Sequence, residues 1–341
     1  MQAGPLIGFT VFAISLLCGL WGTGRIRRFA LDEEILDHPG ERSLHSTAVP
    51  RGGGLSIVTC VLLCTVFAAA TGLIPWTLAA TLAGGGTLVA LTGWLDDRAG
   101  LPASIRGIAY LLAAALAVIL LGPVTVLQVG SAVVRLTPLL AWTLTLAAMF
   151  WLINLWNFMD GSDGLAGVET VTAALFAALI FALSGVAGMA ILCLALAGAA
   201  SGFLYWNWHP ARIFMGDSGS CFIGFVFAVL ALQAQRTAAV EALVWIVLLA
   251  LFVCDATLTL LRRMVAGEKW YSPHRTHAYQ LLVQGRLGHT GMASWAAVVN
   301  VVLLGPLAVV AHTHPELGSP CLAATLLAGV CGWALVQYRY S

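Results

Sequence analysis

Charge is the scarcest commodity in this 341-residue chain. Only 9% of its residues are Asp, Glu, Lys or Arg, while 60% are hydrophobic, and the mean hydropathy is +0.94. Soluble domains carry roughly 25% charged residues. Such a chain cannot dress a water-facing surface, so it reads as an integral membrane protein with most of its length in the bilayer. The apolar runs also lack alternation and last about 20 residues, which excludes barrel strands and leaves helices. A formal net charge of +1 implies no nucleic-acid partner. Among eight cysteines there is no Cys-x-x-Cys pair. Cys60 and Cys64 share a helix face, but no nearby His or Cys completes a zinc site, so the cysteines read as small buried hydrophobes. No positive charge precedes the first apolar run. Arg25, Arg27 and Arg28 follow it, which argues against a cleaved signal peptide. Neither an internal repeat nor a linker is evident, so residues 1–341 read as a single domain.

What is there is a series of eleven apolar segments, roughly 4–24, 53–73, 76–95, 104–122, 138–157, 165–185, 187–206, 218–235, 240–261, 291–312 and 319–338. The fold class expected is an all-α polytopic membrane protein of about eleven transmembrane helices. With the 25–52 loop in the cytoplasm and strict alternation from there, 14 of the 16 basic residues face inside and only Arg135 and Arg236 face outside. Positive charge favours the cytoplasmic side, so the N-terminus is placed outside and the C-terminus in the cytoplasm. The one longer external loop, 123–137, carries two β-rich runs around Gly130-Ser131 and predicts a small hairpin.

The 15 carboxylates are informative because they are few and costly beside a bilayer. Three clusters stand at segment ends: Asp96-Asp97, Asp160 with Asp163, and Asp217. The same alternation puts all three, and the basic 262–290 loop, on the cytoplasmic face. Asp255 reads as the one carboxylate well inside a span, either lining a site or bonding a neighbouring helix.

Each cluster carries possible chemistry beside a plainer explanation. Asp96-Asp97-Arg98 closes a helix, and adjacent carboxylates repel unless a cation lies beside them. A solvated helix end explains an isolated pair equally well. Asn154, Asn157, Asp160 and Asp163 recur every three residues, along one face of a continuing helix. Carboxamides and carboxylates suit a Mg²⁺–phosphate complex, since Mg²⁺ takes oxygen ligands. Helix capping explains one or two of the four. Asn207 through Ser220 joins two helices and includes Arg212. There Asp217 or Ser218 could cap the next helix, whose N-terminus is also suited to phosphate. Pro50-Arg51-Gly52-Gly53-Gly54 offers close backbone approach and a phosphate fork at Arg51, though a turn with an inside-facing arginine accounts for it too. His274-Arg275-Thr276-His277 could hold a diphosphate or assist proton transfer, where solvated loop histidines are the plain alternative.

Taken together, the chain resembles the polyprenyl-phosphate N-acetylhexosamine-1-phosphate transferase family, which includes MraY, WecA and TagO. The resemblance rests on Pro50 through Gly54, Gly93-Trp-Leu-Asp-Asp97-Arg, Asn154 through Gly164, Asn207 through Gly219 and His274-x-x-His277, in family order. Asn157-Phe-Met-Asp-Gly-x-Asp-Gly and His274-Arg-x-His277-Ala-Tyr-Gln look closest to the WbpL-like branch, which initiates O-antigen chains. The resemblance implies a UDP-N-acetylhexosamine and undecaprenyl phosphate meeting at a cytoplasmic Mg²⁺ site in the bacterial inner membrane, with Mn²⁺ able to substitute and UMP as the leaving product. It implies Asp217 as metal ligand and Asp96, Asp97, Asp160, Asp163, His274 and His277 as catalytic positions. Arg51, Gly53, Asn154, Asn157, Asn207, Arg212 and Arg275 are then the substrate-binding positions. A homodimer is the oligomer to test, and the branch favours a 6-deoxy sugar over GlcNAc. The His-x-His-His of WecA-like enzymes is His274-Arg-Thr-His277 here, and Thr47-Ala48-Val49 replaces a proline common in the family.

Family usage makes Asp97 a base that deprotonates the lipid phosphate. A phosphate monoester with a second pKa of about 6 is already largely dianionic at neutral pH, so positioning is an equally available role. The rival classes are a transporter, whose ionisable groups cluster at midplane on broken helices, and a non-catalytic lipid-binding protein, which has no need of all these acids.

Overall fold

The computed structural model describes residues 3–40, 44, 47–129, 132–268 and 274–340. Helices dominate: α1 (Ala3–Asp32), α2 (Leu55–Ala70), α3 (Trp76–Ala99), α4 (Ala103–Leu121), α5 (Pro138–Met159), α6 (Leu165–Leu183), α7 (Ala187–Asn207), α8 (Asp217–Arg236), α9 (Ala242–Leu248), α10 (Ala250–Val265), α11 (Ala278–Leu282), α12 (Gly288–Val299), α13 (Gly305–Thr313) and α14 (Pro315–Tyr340). Among the described residues nine helices are long and apolar enough to cross a membrane, and a tenth counts if a bent pair forms one span. The remaining apolar helix, α2, has 16 residues, short of the ~20 a straight crossing needs.

α6, α7 and α8 are the most enclosed of these helices, and α14 and α1 the least. Leu6, Phe9, Leu17 and Trp21 of α1 are exposed, as are Leu327 and Leu335 of α14, as expected of surfaces solvated by lipid. In lipid, helices associate by close packing of small residues more than by hydrophobic exclusion. α1 lies along α7 on that principle. A Cβ at Gly198 would strike the Phe12 carbonyl, and one at Gly202 the Leu16 carbonyl. At the centre, Trp156 stacks on Phe227 with ring centroids 4.8 Å apart, and its indole N–H donates to Thr170 Oγ1 at 3.2 Å.

The predicted hairpin is present. β3 (Val126–Val129) and β4 (Ala132–Arg135) pair antiparallel, with Val126 opposite Arg135. Its Gly130-Ser131 turn lies outside the described residues, as does His45. A second small ladder joins β1 (Leu36–Asp37) to β2 (Val49–Pro50).

Three expectations need correction. The run expected as one helix over 240–261 is α9 and α10, bent by 85° at Leu249. Neither Pro nor Gly marks that point, so hydropathy reads straight through it. The segment expected over 291–312 is continuous from Ala278 to Thr313, 36 residues long. It passes through π-helical turns at Val283–Leu287 and Asn300–Leu304, and the first of these contains the Gly285-Arg286 that reads as loop. Finally, Asp255 is not the only carboxylate inside a span. Glu169 of α6 is fully buried and accepts a hydrogen bond from Asn300 Nδ2 at 2.6 Å.

Candidate active site

Four helix termini and one glycine-rich segment meet at one end of the bundle. Gly93 makes the first approach possible: any Cβ there would collide with the Asp217–Ser218 backbone. One turn further along α3, Asp97 therefore reaches the start of α8. Its Oδ1 accepts the Asp217 N–H at 3.0 Å and its Oδ2 the Ser218 N–H at 3.3 Å. The first N–H groups of a helix lack internal partners and sit at the positive end of its dipole. α8 is thus capped from another helix. Neither Asp217 nor Ser218 caps it, contrary to expectation, and its N-terminus is already filled by an anion of the protein itself. Gly216 completes the fit at φ +76, where a Cβ would strike the Asp97 carboxylate.

The triple glycine also serves this junction. Gly53 N–H donates to the Phe214 carbonyl and Gly54 N–H to that of Met215, both at 2.9 Å, while Phe214 N–H donates to Pro50 O at 2.8 Å. A Cβ at Gly54 would overlap Gly219 Cα. The backbone that approaches Gly53 closely is therefore the chain's own 214–219 segment. Arg51 is held with it. Its Nη2 donates to Asp37 Oδ2 at 3.1 Å and its Nη1 lies 4.0 Å from Asp97 Oδ1. Burial opposes the Arg51 charge, but Asp37, Asp97 and Asp217 outweigh it and raise the pKa above the usual arginine value.

Asp96 and Asp217 share one cation. Arg106, on α4, donates from the same Nη1 to Asp96 Oδ2 at 2.7 Å and to Asp217 Oδ2 at 3.0 Å. Asp96 Oδ1 takes the Leu101 N–H at 2.6 Å, closing the α3–α4 turn. Beside them, α5 ends at Met159 and Asp160 forms its C-cap. Asp160 has its pKa raised well above the carboxylate range by burial, reinforced by the charges of Asp217 and Asp97 and opposed by Arg51. Asn157 Nδ2 donates to Ser220 Oγ at 3.3 Å, tying α5 to α8.

Because α5 stops at Met159, the four residues spaced by three do not share one face. Asn154 bonds its own helix, Nδ2 to Phe150 O at 2.7 Å. Asp163 turns instead to two histidines: Oδ2 lies 2.6 Å from His209 Nδ1 and accepts the Ala211 N–H at 3.1 Å, while Oδ1 is 3.8 Å from His289 Nδ1. His289 Nδ1 accepts the Asp163 N–H at 3.1 Å. Its Nε2 then carries the proton and faces Leu44 O at 3.3 Å. The ligand atoms of Asp163, His209 and His289 lie within 4.8 Å of one another, with the carboxylate paired to His209 and the Ala211 N–H and His289 Nδ1 taken by the Asp163 backbone.

The histidine loop is held from below by Asp255. Its Oδ1 accepts the Ala278 N–H at 2.8 Å and its Oδ2 the Tyr279 N–H at 2.9 Å, so it caps α11 as Asp97 caps α8. His277 Nδ1 lies 3.4 Å from Asp255 Oδ1, and the His277 and His274 rings stack with centroids 4.8 Å apart. Burial, the His277 ring and Arg263 and Arg262 lower the His274 pKa to about 4, so this imidazole is neutral near pH 7. Tyr279 O–H donates to Phe158 O at 3.1 Å and sits where a Cβ on Gly161 would fall. The loop is thereby docked against the segment carrying Asp160. Asp255→Asn keeps the shape but turns one accepting oxygen into a donor facing a buried N–H. An unsatisfied buried polar group costs about 1–3 kcal/mol, and a thermal melt in detergent is expected to show that loss.

Other expected positions are placed elsewhere. Asn207 is buried and both ends of its amide are used: Oδ1 accepts the Gly164 N–H at 2.9 Å and Nδ2 donates to Ile213 O at 3.1 Å. It is a strut between loops. Arg212 is exposed, with its guanidinium 4.6 Å from both the Tyr205 and Trp206 ring centroids. Arg275 is exposed beside the histidines. Arg106, His209 and His289 were not anticipated as site residues. Arg106 stood out in the sequence only as an inside-facing cation. An apolar cavity of about 740 Å³ runs from Met159 and Tyr279 past Asp255 to Arg286 and Tyr340, between α10, α12–α13 and α14.

Residues 79–235 match the family described as glycosyl transferase family 4. Over 358 residues, covering 95% of this chain and 87% of the relative, the chain is 31% identical to the decaprenyl-phosphate N-acetylglucosaminephosphotransferase of Mycobacterium tuberculosis. It is 30% identical over 288 residues (82% and 78%) to a probable undecaprenyl-phosphate N-acetylglucosaminyl 1-phosphate transferase of Bacillus subtilis. The undecaprenyl-phosphate alpha-N-acetylglucosaminyl 1-phosphate transferase of Escherichia coli O157:H7 is 28% identical over 334 residues (92% and 88%).

Proposed function

The chain belongs to glycosyl transferase family 4, and from that premise we propose that it transfers an N-acetylhexosamine-1-phosphate from a UDP-sugar to undecaprenyl phosphate, releasing UMP. The observation that carries this reading is the meeting of Asp96, Asp97 and Asp217 around Arg51 and Arg106, with Asp160 in their field. Phosphoryl transfer asks a protein for positioning and charge neutralisation more than for covalent chemistry. Carboxylates interleaved with guanidinium groups, at the end of an apolar bundle, supply both.

The donor set fits Mg²⁺: hard oxygens of Asp217 and Asp96 already share a cation, and Asp160 offers a further carboxyl. Asp217 is the protein ligand we assign. When bound, the metal would neutralise charge developing on the diphosphate. Arg51 and Arg106 add positive charge for phosphate oxygens. His274, neutral near pH 7, can accept or donate a hydrogen bond to the diphosphate without adding charge. The apolar cavity that begins beside Met159 offers space for a polyprenyl tail, one residue from Asp160.

The named relatives are N-acetylglucosaminyl 1-phosphate transferases or an N-acetylglucosaminephosphotransferase, which puts UDP-GlcNAc first among donors, ahead of the 6-deoxy sugars that the WbpL-like residues favour. The glycan started in this way belongs to the cell envelope, with O-antigen as one candidate. The positive-inside count supports a cytoplasmic site, in a membrane we take to be the bacterial inner membrane. The deciding experiment measures UMP from undecaprenyl phosphate, Mg²⁺ and a panel of UDP-N-acetylhexosamines. Release of UMP that requires both substrates is expected with UDP-GlcNAc. No lipid-dependent UMP from any donor would sink the proposal.

A further inference from the structure

A guanidinium usually meets carboxylates as a fork, with two parallel N–H···O bonds to one partner. Arg106 does otherwise. A single nitrogen, Nη1, bridges Oδ2 of Asp96 and Oδ2 of Asp217 at 2.7 and 3.0 Å. One cationic group donating from a single atom to two carboxylate oxygens on different helices stands where a bridging metal ion would. The two acids come from α3 and α8, brought together at Gly93, and Arg106 reaches them from α4. The guanidinium leaves one negative charge uncompensated across the pair, where a divalent cation would leave none. Its side chain is 31% exposed, so it has room to leave without unpacking the core.

We propose that Arg106 is a resident stand-in for the divalent cation. It occupies the seat between Asp96 and Asp217 in the metal-free protein, is displaced when the metal binds, and then turns its guanidinium to the substrate diphosphate. The inference rests on Asp217 being the metal ligand. It accounts for how two crowded acids tolerate the absence of metal: the repulsion that would splay α3 from α8 is held in check by a tethered cation. It also sets the metal affinity, because binding must first break two charge-assisted hydrogen bonds.

Mn²⁺ binding to the purified full chain, followed by electron paramagnetic resonance, separates this role from that of a strut. Arg106→Gln empties the seat, and its Mn²⁺ dissociation constant is expected to fall about tenfold below that of the unsubstituted chain, while kcat for UMP release falls. Arg106→Lys keeps a cation in place and is expected to hold near-wild-type Mn²⁺ affinity. The metal-free R106Q protein is expected to melt earlier, and saturating Mg²⁺ should close that gap. Equal or weaker Mn²⁺ binding by R106Q overturns the proposal. So does an R106Q protein that cannot be obtained folded even with Mg²⁺ present, since that marks Arg106 as a strut. Asp217→Asn is the control for the premise. If Mn²⁺ binds D217N as well as the unsubstituted chain, the metal assignment itself fails. If D217N alone loses Mn²⁺ and R106Q is unchanged, only the stand-in role fails.

Discussion

Asp217→Asn is expected to lower UMP release by about 10³-fold or more, the scale on which charge-neutralising groups act in phosphoryl transfer, while the helix bundle stays folded. The two halves of that expectation come from different atoms of the residue. The Asp217 backbone N–H is what Asp97 holds, at 3.0 Å, and asparagine keeps it. The side chain contributes Oδ2 to Arg106 at 3.0 Å, and a carboxamide can still accept there through its oxygen. What disappears is one negative charge from the cluster that would face a divalent cation. Activity and melting temperature measured on the same preparation decide the matter. An Asp217→Asn protein that retains full activity with unchanged Mg²⁺ dependence would show that the metal is held elsewhere.

Much of the scaffold was legible because bilayer helices write themselves as long apolar runs. α3 through α8 fall close to the expected segments, and the hairpin is where two β-rich runs flank Gly130-Ser131. Other features left no such mark. The 85° break at Leu249 sits in a run with no Pro or Gly. The start of the 36-residue helix at Ala278 hides behind a polar, glycine-containing π turn. At the site, the acids were visible as costly outliers, yet their partners were not. The cap of α8 comes from Asp97, 120 residues earlier in the chain, where local rules look only at Gly216 through Ser218. Asp163 seemed to continue a helical face because its spacing was right, but α5 stops four residues before it, His209 and the Ala211 N–H take its side chain, and His289 accepts its backbone N–H. Long-range pairing of single polar groups carries no periodicity, so it leaves no pattern to read.

Two acids far apart in the chain share one design. Asp97 caps α8 and Asp255 caps α11, each taking two consecutive backbone N–H groups with its two oxygens. Each cap pins the beginning of a helix that delivers a site residue: Asp217 at the start of α8, and His277 at the N-cap of α11. An exposed helix N-terminus is a ready anion site, but these two are already neutralised. Under the proposed function, a phosphate would be met by Arg51, Arg106, the histidines and the metal we assign, so recognition would rest on side chains.

Asp97 is the acid that the family resemblance casts as a base. Its carboxylate is buried, and both oxygens already accept backbone N–H groups. Taking up a proton on either oxygen would set an O–H donor against a backbone N–H donor and weaken one of those bonds. Asp97→Asn imposes that conflict permanently. It removes one accepting oxygen and the charge that complements the α8 dipole, for a loss of about 2 kcal/mol in stability. Asp217, the next group along, shifts with the end of α8. Mispositioning of this kind lowers rates by about 10²-fold without altering which group titrates. The pH–rate profile of Asp97→Asn is therefore expected to keep the shape and midpoints of the unsubstituted enzyme at a uniformly lower rate, with the lipid phosphate's own second ionisation near pH 6 still visible on the acid limb. A profile that loses an ionisation in the variant would return the proton to Asp97, and the cap would then be the secondary role.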